Sequence, residues 1–560
     1  MAQYSGERTR REVQGNIVDV YHRRIFPGLL HIEAGRIASI SECPVPAGAP
    51  FILPGFIDAH IHIESSMLIP REFARLAIPH GTVATVSDPH EIANVLGVPG
   101  VEFMLEDAAL SPLKTMFGAP PCVPATCFET AGACLGVAEV KSLLAHPRVG
   151  YLAEVMNYPG VIAGDPDLLA KIESAKTAGK PIDGHAPGLR GQGVSAYFSS
   201  GITTDHECFS LEEALEKLAA APDLHILIRE GSAAKNFDAL HPLLRSHPDR
   251  VMLCSDDKHP NDLILGHINQ LVIRAVALGY DLFDVLRAAC LNPVLHYKLP
   301  VGTLRPGEPA DFIEVGDLHT FRNLRTWIDG NIVAESGECL ISRHPSAGPP
   351  PNRFVARPVS PEDCAIRATG AHPRVNIIEA EDGQLVTARV IEELLVQDGK
   401  LLPDLRRDTL KIAVINRYDP SAKPAIGFIR GFRMKRGAIA SSVAHDSHNL
   451  VVVGVDDASI ARAANLVIAH HGGLAVVDRD LHEVLPLPVG GIMTDQEGAA
   501  TAHAYGRIDQ IARDLADNAG LSAPFMTLSF MALLVIPSLK MSDRGLFDGE
   551  HFDFIPPCCD

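Results

Sequence analysis

At 560 residues the chain is too long for one ordinary core, so two or three domains are expected. Hydrophobic residues make up 46% and charged residues 21%, a globular balance with material for large cores. The formal charge of −19, from 49 basic against 68 acidic side chains, excludes the basic field that collects nucleic-acid phosphate, and a small neutral or metal-bound substrate suits it better.

The N-terminal stretch up to Gln14 is polar and mixed in charge. The longest apolar stretches, such as 530–536, are far too short to span a bilayer. A cytoplasmic protein without a membrane partner is therefore expected, and its size allows a homo-oligomer. The 11 cysteines are scattered without a disulfide-like pattern. Cys122 and Cys127 have no second pair after them, and Cys558 and Cys559 stand at the tail, so both sets are read as packing residues.

In chain order, residues 1–50 hold short alternating runs, Asn16-Ile-Val-Asp-Val and Leu30-His-Ile-Glu, cut by Gly28 and Gly35; these predict hairpin strands. From 51 to 300 short apolar runs alternate with helical segments, the pattern of βα units on a parallel sheet. The eight predicted strands are 52–58, 82–86, 115–118, 150–154, 181–184, 202–205, 225–229 and 251–255, the number and length of a (β/α)8 barrel. Leu211-Glu-Glu-Ala-Leu-Glu-Lys-Leu is an amphipathic helix between two of them. Residues 301–342 return to strands and turns, with a hairpin signal at Asp329-Gly330, and are expected to join residues 1–50 in one small β-sandwich. A linker rich in Pro and Gly follows over 343–365. Residues 366–560 then read as a separate α+β domain, with strands at 410–415 and 450–455 and helices at 458–470 and 504–519.

Barrel enzymes build their sites from strand ends and the loops after them. The first strand ends in His60-Ile-His62, a spacing that puts both imidazoles on one side of an extended strand. Further ends carry Glu154, His185, His206 and Asp256. One such histidine is usually a satisfied structural residue; imidazoles and carboxylates at the ends of five strands together point to a metal. Asp257 is the rival to Asp256, but alternation along a strand would turn it away.

These pieces, with Pro54-Gly-Phe-Ile-Asp-Ala-His-Ile-His, Ser255-Asp256, Gly302-Thr-Leu-Arg-Pro-Gly and Ala310-Asp311-Phe, resemble the amidohydrolase superfamily. Within it the chain resembles the bacterial adenine deaminases. That likeness rests on Ser87-Asp-Pro-His-Glu-Ile-Ala-Asn, Ala153-Glu-Val-Met-Asn-Tyr-Pro-Gly, Asp183-Gly-His-Ala-Pro-Gly, Thr204-Asp-His-Glu and Cys254-Ser-Asp-Asp-Lys-His-Pro. It continues through Ser441-Ser-Val-Ala-His-Asp-Ser-His-Asn and Leu485-Pro-Leu-Pro-Val-Gly-Gly, covering nearly the whole chain.

The resemblance implies two divalent cations, manganese or iron, bridged by a carboxylate. Relatives often use a carbamylated lysine there; this chain has Glu154. His60, His62 and Asp256 would hold one cation, His185 and His206 the other. The implied reaction is hydrolysis of adenine, a purine base, to hypoxanthine and ammonia, by attack of a metal-activated hydroxide on C6. Asp256 would relay the proton. A general acid is also needed at the neighbouring ring nitrogen, with Glu91, His90 and Glu207 as candidates; Glu207 otherwise orients a histidine ligand.

After the seventh strand, Glu230 and Ser232 suit recognition of the substrate edge, or else belong to a loop packed under the last domain. The run His445-Asp446-Ser447-His448 either completes the pocket, binds further metal, or forms a turn capped by its aspartate. Three rival functions share parts of this pattern. The ligands alone fit an amidohydrolase acting on another cyclic amidine or amide. A cytidine-type zinc deaminase is excluded, because His62-Ile-Glu64 has no Cys pair at two-residue spacing after Pro121. A barrel scaffold that lost catalysis would be expected to lack part of the ligand set, which is complete here.

Overall fold

The computed structural model describes residues 10–344 and 348–559, so residues 345–347 of the Pro-rich linker lie outside it. Three antiparallel strands open the chain: β1 (Arg10–Asp19), β2 (Arg24–Glu33) and β3 (Arg36–Glu42). β4 (Phe51–Pro54) pairs in parallel with β1.

The apolar run predicted as one strand over 52–58 divides at Pro54-Gly55. β4 stays with the flanking sheet, and β5 (Phe56–Ile61) enters the barrel. Proline commonly ends a ladder because it has no N–H to donate. The backbone also passes close to the next barrel strand here: a Cβ on Gly55 would lie 2.2 Å from Val83 Cγ1, so only glycine fits.

β5, β6 (Thr82–Ser87), β7 (Lys114–Ala119), β8 (Val149–Val155) and β9 (Ile182–Gly184) form one parallel sheet; β10 (Thr204–Asp205), β11 (His225–Arg229) and β12 (Val251–Cys254) form a second. Hydrogen bonds join them at both seams. Thr203 N donates to Ile182 O at 3.0 Å, and Asp256 N donates to His60 O at 2.9 Å. The eight parallel strands thus close into a barrel. β5 and β6 are buried at every residue, as strands covered on both faces must be.

The helix Leu211–Ala220 lies on the outside, capped by Ser210, whose side chain accepts from Glu213 N. Its Lys217 is fully buried and donates to Asp205 Oδ2 at 2.8 Å, Glu213 Oε1 at 2.6 Å and Ala186 O at 2.6 Å. Lys217→Met would leave Asp205 buried and unpaired. It should cost about 3–5 kcal/mol, measured by denaturant unfolding, and an unchanged midpoint would contradict this account of the helix.

After the barrel come β13 (Phe312–Val315), β14 (Asn323–Ile328), β15 (Asn331–Glu335) and β16 (Glu338–Cys339). β13 pairs antiparallel with β4, so the segments on either side of the barrel meet. They form one continuous eight-stranded sheet in the order β16-β15-β14-β13-β4-β1-β2-β3. The turn from β14 to β15 has positive φ at both Asp329 (47°) and Gly330 (70°), the left-handed pair that a two-residue hairpin needs.

The last domain is built on a nine-stranded sheet that includes Arg374–Glu379, Leu410–Ile415, Ala438–Ser441 and Leu450–Gly454. The helix Asp457–Ala469 packs against it with Ile460, Ala464 and Val467. The second helix runs over Gly498–Asp514, earlier than the expected 504–519. The chain leaves the helical region at Asp517 and Asn518, both with positive φ.

This domain docks on the barrel mouth. Met67 and Thr494 exchange backbone bonds with their surroundings there: Thr494 N donates to Met67 O at 2.9 Å and Ile69 N to Thr494 O at 3.2 Å. Asn449 Nδ2 donates to Thr130 O at 2.9 Å. Among the described residues no helix is long and apolar enough to cross a membrane.

Candidate metal centre

The end of β5 supplies two imidazoles. Extended backbone sets His60 and His62 on the same side, with their Nε2 atoms 3.2 Å apart. His62 Nδ1 donates to the Asp88 carbonyl at 3.1 Å, which leaves its Nε2 with the free lone pair.

Glu154, on β8, faces two groups of partners at once. Its Oε1 lies 3.5 Å from His62 Nε2, and its Oε2 lies 2.8 Å from His185 Nδ1 and 3.2 Å from His206 Nε2. Asp256 approaches from the other side, with Oδ1 3.3 Å from His62 Nε2 and 3.7 Å from His60 Nε2. All of these are buried except His185, whose side chain is 16% exposed. Thus the six residues singled out at strand ends come together.

Two neutral imidazoles facing each other by nitrogen share at most one proton, whereas a divalent cation satisfies every lone pair around it. The trios His60, His62, Asp256 and His60, Glu154, His206 each have ligand atoms close enough to share one ion. With nitrogen and oxygen donors and no thiolate, the set fits borderline and hard divalent cations. The residues therefore fit divalent metal binding.

Charge is arranged to keep both carboxylates ionised. Burial raises the Glu154 carboxyl, but the His185 and His206 rings outweigh it and hold it well below the usual carboxylate range. Burial acts the same way on Asp256, and Arg229, followed by His62 and His206, reverses it. Arg229 Nη1 donates to Asp256 Oδ2 at 2.5 Å, while its guanidinium also grips both oxygens of Glu207. Glu207 in turn stands 3.4 Å from His206 Nε2.

The choice between Asp256 and Asp257 rests on a different cause than strand alternation. β12 ends at Cys254, and Asp256 adopts a left-handed backbone with φ 54°, which aspartate tolerates better than most residues. That turn swings Asp256 toward His60 and His62. Asp257 instead accepts from Ser65 Oγ at 2.5 Å and lies in the cavity wall.

Glu230 and Ser232 require correction: neither lines the cavity. Glu230 is turned outward to Arg274, 2.9 Å away, and Ser232 Oγ is engaged by Asp262 and by His259 N. The loop is held by its own charged neighbours.

Asp88 and Arg229 belong to the site but had no role assigned from sequence. Asp88 Oδ1 accepts from His90 N at 3.0 Å and its Oδ2 from Glu154 N at 3.2 Å, so it ties the start of the helix His90–Leu96 to the end of β8. Each is a charged residue at the end of an apolar barrel run, the same signal that identified the histidines.

The opposite wall combines both domains. His90 and Glu91 open the helix His90–Leu96; His90 Nδ1 is 3.3 Å from Glu154 Oε1 and its Nε2 is 3.7 Å from Asp446 Oδ1. Glu91 receives His445 Nδ1 on one oxygen and His448 Nε2 on the other. Burial raises the Glu91 carboxyl, and the His445, His448 and His90 rings together hold it well below its ordinary range. Leu385, Phe530, Leu533, Val535 and Ile536 roof the space, a cavity of about 50 Å³.

A closed parallel barrel with imidazoles and carboxylates gathered at its strand ends defines a metal-dependent hydrolase, and the Amidohydrolase family model matches residues 51–333. The model of the adenine deaminase C-terminal domain matches residues 384–553. The chain is 55% identical to an adenine deaminase of Sulfurovum sp. (strain NBC37-1), covering 98% of this chain and 99% of that one. It is 53% identical to an adenine deaminase of Salinibacter ruber, over 97% and 98% of the two chains, and 48% identical to one of Methanosarcina barkeri, over 97% and 98%. The chain belongs to the adenine deaminase family.

Proposed function

We propose that this protein deaminates adenine hydrolytically, giving hypoxanthine and ammonia. The observation that carries the reading is the convergence of four imidazoles and two carboxylates from five barrel strands beneath an apolar roof. The relatives name the substrate.

His60, His62 and Asp256 would hold one divalent cation and His185 and His206 the other, with the Glu154 carboxylate placed between the two sets. The opposed partners of its two oxygens support that division. Manganese and iron both suit this donor set. When bound, such a pair lowers the pKa of a shared water and supplies hydroxide near neutral pH.

Asp256 takes the proton released as C6 is attacked and passes it to the departing amino group. Arg229, bonded to the far oxygen of Asp256, orients it for that transfer. The ring nitrogen next to C6 gains electron density as C6 becomes tetrahedral and must be protonated. Glu91, His90 and His445 line the wall from which that proton would come. Leu533, Val535 and Ile536 shed water from the ring faces.

Ammonia release from adenine, adenosine, guanine and cytosine by the manganese-loaded protein tests this. Adenine alone should react. Turnover of adenosine without adenine would contradict the substrate assignment.

A further inference from the structure

The residues His445 and His448 come from the C-terminal domain, across the domain junction from the barrel. Between them they occupy both oxygens of Glu91. His448 Nδ1 accepts from Ala444 N at 3.2 Å, so its proton sits on Nε2, which donates to Glu91. With both oxygens accepting, Glu91 itself is poorly placed to give up a proton.

His445 is differently placed. Its Nδ1 is held by Glu91, and its Nε2, on the opposite edge of the ring, is buried without a hydrogen-bond partner. The ring lines the cavity, stacks on Phe530 at 4.6 Å and 15°, and has its backbone N fixed to Ser529 O at 2.9 Å.

We propose that His445 Nε2 is the proton donor to the ring nitrogen beside C6, with Glu91 and His448 as the positioning residues behind it. The inference rests on the deaminase reading and deepens it by assigning the general acid to the C-terminal domain. Burial lowers the His445 pKa, but Glu91 and Asp257 outweigh it and push it up to about 9, so the ring is charged at neutral pH.

As the C6–O bond forms, the electron pair of the ring C=N bond moves to nitrogen, which takes the proton from Nε2 and keeps it in hypoxanthine. The hydroxyl proton on C6 passes through Asp256 to the amino group, the C–N bond breaks, and ammonia leaves. The water consumed has given its oxygen and one proton to these steps, and its other proton recharges His445.

The test is a mutant cycle on the full-length, metal-loaded protein, with metal content measured for every variant. His445→Gln should lower kcat about 10²–10⁴-fold, the range for a lost general acid, with metal content unchanged. Glu91→Gln added to it should lower kcat by no more than about threefold further, because the two act as one unit. His448→Gln, whose ring lies outside the cavity wall, should lower kcat about 10–100-fold with KM nearly constant.

An unchanged kcat in His445→Gln, or full additivity with Glu91→Gln, overturns the proposal. If His445→Gln fails to fold, the decision passes to His448→Gln: its loss supports the chain of contacts and its indifference overturns it. The cycle is run on whichever substrate the wild-type protein turns over. Failure of the adenine assignment would show in the wild type, whereas failure of this inference would show only in the variants.

Discussion

Glu154→Gln is expected to strip the protein of bound divalent metal and to abolish turnover with it. The amide preserves size and hydrogen-bonding reach but removes the charge between two groups of imidazoles. Its NH2 end would also face either His62 or the His185 and His206 pair, since the carboxylate oxygens divide between those partners. One side of the centre therefore loses its ligand whichever way the amide turns. Outer partners of a metal site typically matter about 10–100-fold in affinity, and a bridging ligand should exceed that. Elemental analysis after dialysis reads the result directly. Unchanged metal content would remove Glu154 from the bridging role.

Asp256→Asn is expected to lower kcat by at least about 10²–10⁴-fold, the usual span for a lost acid–base group, while leaving the fold intact. Asparagine fits the left-handed backbone at this position nearly as well as aspartate. It can still contact Arg229 but cannot carry a proton between the attacking oxygen and the leaving amine. Steady-state ammonia release beside a circular dichroism spectrum separates chemistry from folding. Retained turnover would take Asp256 out of the mechanism.

Much of the barrel was legible because its signals are local. Each strand is a short apolar run, and a polar residue breaks the run where the chain leaves the barrel; His60, His62, Glu154, His185, His206 and Asp256 all announce themselves that way. The break at Pro54-Gly55 was not legible in full, because the demand for glycine comes from Val83 on the neighbouring strand. Alternation along an extended strand favours Asp256 over Asp257, but this residue is not extended; its positive φ is set by the turn after β12. Chain position alone puts Glu230 and Ser232 at the barrel mouth, but their side chains follow Arg274 and Asp262 instead.

The role of the His445-Asp446-Ser447-His448 run was hidden for a related reason. Its partner Glu91 lies 354 residues away from His445 in sequence, and only the docking of the two domains brings them into contact. A motif with no metal-ligand spacing of its own gives no hint of which carboxylate it will meet.

Side chains from five barrel strands are expected to surround two divalent cations. Anomalous diffraction from crystals of the manganese-loaded protein tests it most directly. The account predicts two anomalous peaks enclosed by His60, His62, Glu154, His185, His206 and Asp256, with Glu154 reaching both. Peaks elsewhere in the protein, or none among these six residues, would contradict it.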